Sequence, residues 1–132
     1  MGKNFSEILE TICDNDSRYK TDAYVFVMEA LSHTQQRLKT ERHISGEELL
    51  DGMRDLLLQK FGPMTVSVLE YWGIKSTEDF GNIVFNLVDR QVLSKTEEDN
   101  IDRFKNAYDF DEVFIKNYRK QLHKKISRMR SI

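Results

Sequence analysis

Apolar residues recur at spacings of three and four along most of this chain, and helix start and stop residues bracket each stretch that carries the pattern. A first helix is expected from Phe5 to Asp14, with Asn4 as its cap, Glu7 as the box partner, and Phe5, Ile8, Leu9 and Ile12 on one face. The stretch "DNDS" breaks it. A second helix is expected over about Arg18 to Lys39. Tyr19, Ala23, Phe26, Val27, Ala30 and Leu31 repeat at helical spacing there, and Tyr24, Val25 and Met28 widen the stripe, which suits a central helix.

The stretch "HISGEELLDGMRDLLLQKFGP" carries its own punctuation. Ser45 and Glu48 form an S-x-x-E capping box, Leu49, Leu50, Met53, Leu56, Leu57 and Phe61 make a buried face, and Gly62 with Pro63 closes it. Pro63 then opens a short helix with Met64, Val68, Leu69 and Trp72 on one side, ended by Gly73. Ser76 and Asp79 start the next helix, whose stripe is Phe80, Ile83, Val84, Leu87 and Val88. Gly81 inside it costs about 1 kcal/mol against Ala, which calls for close approach of a neighbour; Trp72 is the expected one.

After Leu93 the pattern weakens. Ser94 and Glu97 repeat the box signal, and Ile101, Phe104 and Tyr108 give a weak face, so this is either a short helix or an irregular connection. A last helix begins near Asp109 or Asp111. The runs "VFVM" and "IVFNLV" are strand-like in isolation, but no segment alternates convincingly with period 2. The fold class is therefore all-α: a compact orthogonal bundle of five or six helices around Phe26, Leu50, Leu57, Trp72, Phe80, Val84 and Leu87. A small β-hairpin near 92–101 is the one departure allowed for.

The length of 132 residues fits one domain with a single core. The composition, 39% hydrophobic and 32% charged with both signs mixed, is that of a globular chain rich in helix formers. No apolar run approaches the roughly 20 residues of a membrane helix, and no secretory signal is visible, so no integral membrane segment is expected. A single cysteine, Cys13, forms no internal disulfide, which suits a cytoplasmic protein. The opening "MGKNFS" matches the M-G-x-x-x-S pattern for lipidation at Gly2, for which chance is the plainer explanation at this length.

Four pieces, "RYKTDAYVFVMEAL", "HISGEELLDGMRDLLLQKFGPM", "VLEYWGIKSTEDFGNIVFNLV" and "KTEEDNIDRFKNAYDF", together resemble a small bacterial domain family known only as uncharacterised. The resemblance spans about residues 18–114, and "FGPM", "WGI" and "TEDFG" are its specific parts. It implies a small stand-alone bacterial cytoplasmic protein and assigns no activity, cofactor or catalytic residue.

Candidate chemistry is sparse. His33, His43 and His123 are far apart, Glu29 and His33 have the wrong spacing for a di-iron motif, and no CxxC, HExxH, calcium loop or phosphate loop occurs. No metal, cofactor or catalytic residue is assigned. Asp14 and Asp16 beside Cys13 would raise its thiol pKa, and Ser45 near His43 is explained as a cap. The acids at Glu78 and Asp79, at Glu97 to Asp99, and at Asp109 to Glu112 sit at helix starts, where the dipole favours them. A DNA-reading role for the helix at 77–92 is disfavoured by Glu78, Asp79 and Asp89 against Arg90 alone. A pocket near His43, Tyr71 and Trp72 is the remaining ground for an enzyme of unrecognised type.

One feature is asymmetric. Residues 115–132 hold seven cations, Lys116, Arg119, Lys120, Lys124, Lys125, Arg128 and Arg130, and no acid. The whole chain is −2, so with +7 here residues 1–114 carry −9. Ile115, Tyr118, Leu122, Ile126 and Met129 add a narrow apolar stripe. The chain thus divides into a helical domain, 1–114, and a basic amphipathic C-terminal helix, 115–132. That helix has three readings: it docks on its own acidic body, it contacts RNA, a ribosome or DNA, or it meets a partner helix or an anionic membrane. The leading functional expectation is a non-catalytic cytoplasmic macromolecule-interaction module with a protein or RNA partner. The alternatives are an RNA-, ribosome- or DNA-binding protein using the basic helix, and an enzyme.

Overall fold

The capping signals set the element boundaries. In a computed structural model that describes residues 4–130, six α-helices follow one another: α1 (Phe5–Asn15), α2 (Thr21–Leu38), α3 (Gly46–Phe61), α4 (Thr65–Trp72), α5 (Thr77–Asp89) and α6 (Tyr118–Met129). Asn4 accepts from the Glu7 amide at 2.9 Å. Ser45 and Glu48 close their box in both directions, at 3.1 and 3.0 Å. The Asp79 carboxylate accepts from the amides of Lys75 and Ser76 at the start of α5. Gly62 ends α3 at φ +46° and Gly73 ends α4 at φ +88°. Gly73 has a second reason to be glycine: a Cβ there would lie 2.2 Å from the Arg18 carbonyl oxygen.

The architecture is an all-α bundle, and no strand occurs among the described residues. α2 is its centre, packed against α1, α3 and α5. The seven expected core residues, Phe26, Leu50, Leu57, Trp72, Phe80, Val84 and Leu87, are all buried. Burying each such side chain contributes about 1.5–3 kcal/mol, and the ring contacts of Trp72 with Phe26 (5.3 Å) and Phe61 (5.7 Å) lock α4 to α2 and α3.

Two expectations are corrected. The segment near 92–101 is not a hairpin. Gln91 takes a left-handed φ of +62°, the Val92 amide donates back to the Leu87 carbonyl, and an Asp99 turn on Thr96 leads into a 3-10 turn at Ile101–Phe104. The side chains that bend the backbone locally take the amides a strand ladder would need. The neighbour of Gly81 is not Trp72 but Phe104, whose Cβ would stand 2.8 Å from an added methyl. Gly46 faces the far edge of the same ring at 3.2 Å, so two glycines from different helices form a slot for one phenylalanine.

The last helix starts at Phe110, runs through a π-helical stretch at Glu112–Asn117, and continues as α6. Phe114 is its deepest anchor, buried among Phe110 and Tyr108. The Gly2 pattern lies outside the described residues.

Candidate functional site

α6 is where sequence and structure together depart from ordinary core construction. Burial stops at its root. Tyr118 is half-buried, its hydroxyl lying beside Gly62 at the end of α3, and every residue from Arg119 to Arg130 is exposed. Leu122 is 43% exposed, Ile126 45% and Met129 63%. The apolar stripe is therefore uncovered, and the reading in which it docks on its own acidic body is not what the structure shows. The helix projects because it is continuous with the anchored turns at 110–117; turning back would require breaking it.

Its cations are sorted by the helical period. Arg119 and Lys125 stand three residues either side of Leu122 and so edge the stripe, while Lys120 and Lys124 point away from it. Lys116, Arg119, Lys120, His123 and Lys124 line one shallow basic surface. None of the seven cations is in an ion pair among the described residues.

The three residues grouped as a pocket, His43, Tyr71 and Trp72, are not brought together. His43 lines a cavity of about 300 Å³ with Leu31, Val84, Val88, Leu93 and Phe104. Tyr71 and Trp72 line a separate groove beside Val25 and Phe26. The two lie toward opposite ends of α2, whose 18 residues span about 27 Å.

At the first cavity His43 Nε2 meets Asp99 at 2.7 Å, tying the 92–104 connection to the start of α3. Partial burial of Asp99 works against its ionised form, but the Thr96 amide and His43 outweigh it and hold the carboxyl below its usual range. Arg42 grips Glu48 through both oxygens and pulls its pKa down to about 2, with the Ser45 amide assisting. Arg103 does the same for Glu47 at 2.8 Å, pulling its carboxyl down in turn. The cavity rim thus carries two ion pairs, Arg42–Glu48 and Arg103–Glu47, together with the His43–Asp99 contact.

A polar cluster was not legible in the sequence. Asn86 donates to both the Asp16 carboxylate and the Tyr24 hydroxyl, each at 3.0 Å; Asn82 donates to the Tyr19 hydroxyl, which itself donates to Asp79. Arg18 holds the Asp16 carboxyl well below the usual range. The cluster stitches the α1–α2 turn to α5. Helical spacing places Asn82 and Asn86 on one face, which was the available signal.

Cys13 sits half-buried against the Tyr19 carbonyl, and burial, then Asp14 and Asp16, push its thiol pKa up. His33 pairs with Asp55 at 2.7 Å. No group of three or more His, Cys, Asp or Glu side chains that could hold a metal ion is gathered among the described residues, and no helix there is long and apolar enough to cross a membrane. No family model, no curated protein and no solved structure matches the chain.

Proposed function

We propose that this chain is a non-catalytic macromolecule-interaction module of the bacterial cytoplasm, in which the helical body is a mount and α6 is the docking element. One observation carries the reading: Leu122, Ile126 and Met129 form an uncovered apolar stripe on a helix whose root is firmly held by Phe114. A helix with such a stripe is used by laying it into a partner's groove, where the apolar residues anchor and the flanking cations fix register. The motif resemblance to an uncharacterised bacterial family is part of this proposal and supplies the cytoplasmic setting. Affinity capture with the full chain tests it: Leu122→Glu with Ile126→Glu removes the captured partner, and unchanged capture refutes the reading.

A second reading, contact with RNA, a ribosome or DNA, is favoured by the basic surface of Lys116, Arg119, Lys120, His123 and Lys124. Phosphate neutralisation would make binding fall steeply with salt. Fluorescence anisotropy of a generic RNA and a duplex DNA at low and high salt decides it. Binding that disappears on Lys120→Glu with Lys124→Glu supports the nucleic-acid reading, and no binding at low salt removes it.

A further inference from the structure

We infer that the partner of the α6 stripe is a second copy of this chain, each copy laying its α6 into the groove between α2 and α4 of the other. This rests on the interaction-module reading above and names the partner.

The groove has the chemistry the stripe lacks. Its walls are Val25, Phe26, Phe61, Val68, Tyr71 and Trp72, around a volume of about 520 Å³. Val25 is 39% exposed and Tyr71 68%, so apolar surface is uncovered on this side as well. On α2 the apolar pair is bracketed by Asp22 and Glu29, which with Val25 and Phe26 follow the i, i+3, i+4, i+7 pattern of one helix face. Lys60 also lines the groove and Lys20 Nζ stands 5.5 Å over the Tyr71 ring, so Asp22 is the acid left to meet a cation, Arg119 or Lys125, at the edge of the incoming stripe. Glu29 already holds Lys60 at 2.6 Å, whereas Asp22 is in no ion pair among the described residues. The larger charge balance points the same way, a −9 body against a +7 arm.

The geometry favours exchange over the alternatives. The groove reaches Phe61, one residue from the Gly62 against which the root of α6 rests, so groove and arm share one end of the molecule. The 12 residues of α6 extend about 18 Å from that end. The arm cannot reach its own groove without breaking the helix, and two arms pairing with each other would face cations with cations. A two-fold exchange uses both arms and both grooves at once and closes without leaving a surface free to propagate.

Sedimentation equilibrium of the full chain tests this. The wild type is expected to dimerise below about 100 μM. Ile126→Asp in the arm and Val25→Arg in the groove should each raise the dimer Kd by at least about tenfold, equivalent to ~1.4 kcal/mol. Both positions are partly exposed, and far-UV circular dichroism confirms that the variants fold; Tyr71→Ala is a second groove variant. A wild type still monomeric at about 100 μM, or an Ile126→Asp or Val25→Arg variant that dimerises as the wild type does, overturns the exchange. A monomer that captures another protein, or binds anionic vesicles, through the same stripe overturns the exchange and leaves the module reading standing. A dimer that loses nothing on mutation of the stripe overturns the exchange alone; the module reading falls when the stripe variant also captures as the wild type does.

Discussion

Replacing Gly81 by alanine sets two opposing effects against each other at a known distance. In an exposed helix interior the change would stabilise by about 1 kcal/mol through helix propensity. Here the new methyl would stand 2.8 Å from Phe104 Cβ, 3.0 Å from Cγ and 3.2 Å from Cδ2. The nearest atom is fixed to the backbone of the 3-10 turn, so relief requires moving that turn and not merely swinging a ring. Overpacking of this kind costs about 1–3 kcal/mol, and a backbone-tied contact belongs in the upper half of that range. The net expectation is a loss of about 1–2 kcal/mol, or a urea midpoint lower by about 0.5–1 M for an m-value near ~2 kcal/mol/M. Trp72, the single tryptophan and buried, reports unfolding by fluorescence, with circular dichroism as the second probe. Gly46→Ala is the internal control. Its methyl meets only the far edge of the same ring at 3.2 Å, which can give by a few tenths of an ångström, so its effect should stay within about 0.5 kcal/mol. A Gly81→Ala protein as stable as the wild type, or more so, refutes the close approach of Phe104 to α5.

Three further outcomes follow from the same geometry. Phe114→Ala should cost about 3–5 kcal/mol, because it empties a buried site, while Ile126→Ala, measured at a concentration where the chain is monomeric, should change stability by no more than about 0.5 kcal/mol; urea titration compares them. The Glu48 pKa is lowered to about 2 by Arg42, so its contribution is present above the ordinary carboxylate range near ~4.3 and is lost as pH falls through about 2. Glu48→Gln should therefore flatten the acid limb of a stability–pH profile between about 5 and 2. The raised thiol pKa of Cys13 predicts slower reaction with a disulfide reagent at mild alkaline pH than a free cysteine shows, with Asp14→Asn partly restoring the rate; a rate matching free cysteine contradicts it.

Much of the fold was legible because its boundaries are local. Asn4, Ser45 and Ser76 stand at the starts of α1, α3 and α5, and Gly62 and Gly73 at the ends of α3 and α4, all acting within four residues; α2 instead starts at Thr21 behind Lys20 with no side-chain cap, and Pro63 lies in a 3-10 turn ahead of α4. The long-range partners were not legible. Gly81 announced that something comes close, but Phe104 lies 23 positions away, beyond a connection whose course depends on the His43–Asp99 and Arg103–Glu47 pairs. The pocket grouping of His43 with Tyr71 and Trp72 failed for a related reason: the positions flank the same central helix but toward opposite ends of it. For the candidate site, the basic stripe could be read from residue types and spacing alone. Its exposure could not, because the same stripe would serve equally well folded back onto an acidic body. The decision rests on the unbroken helix through 110–129.

The most direct measurement is quantitative affinity capture from the cell of origin with three full-length proteins: wild type, Leu122→Glu with Ile126→Glu on the stripe, and Lys120→Glu with Lys124→Glu on the opposite face of α6. If α6 docks through its stripe, the wild type and the opposite-face variant capture the same partner and the stripe variant loses it. If the stripe variant captures as the wild type does, α6 does not dock through its stripe.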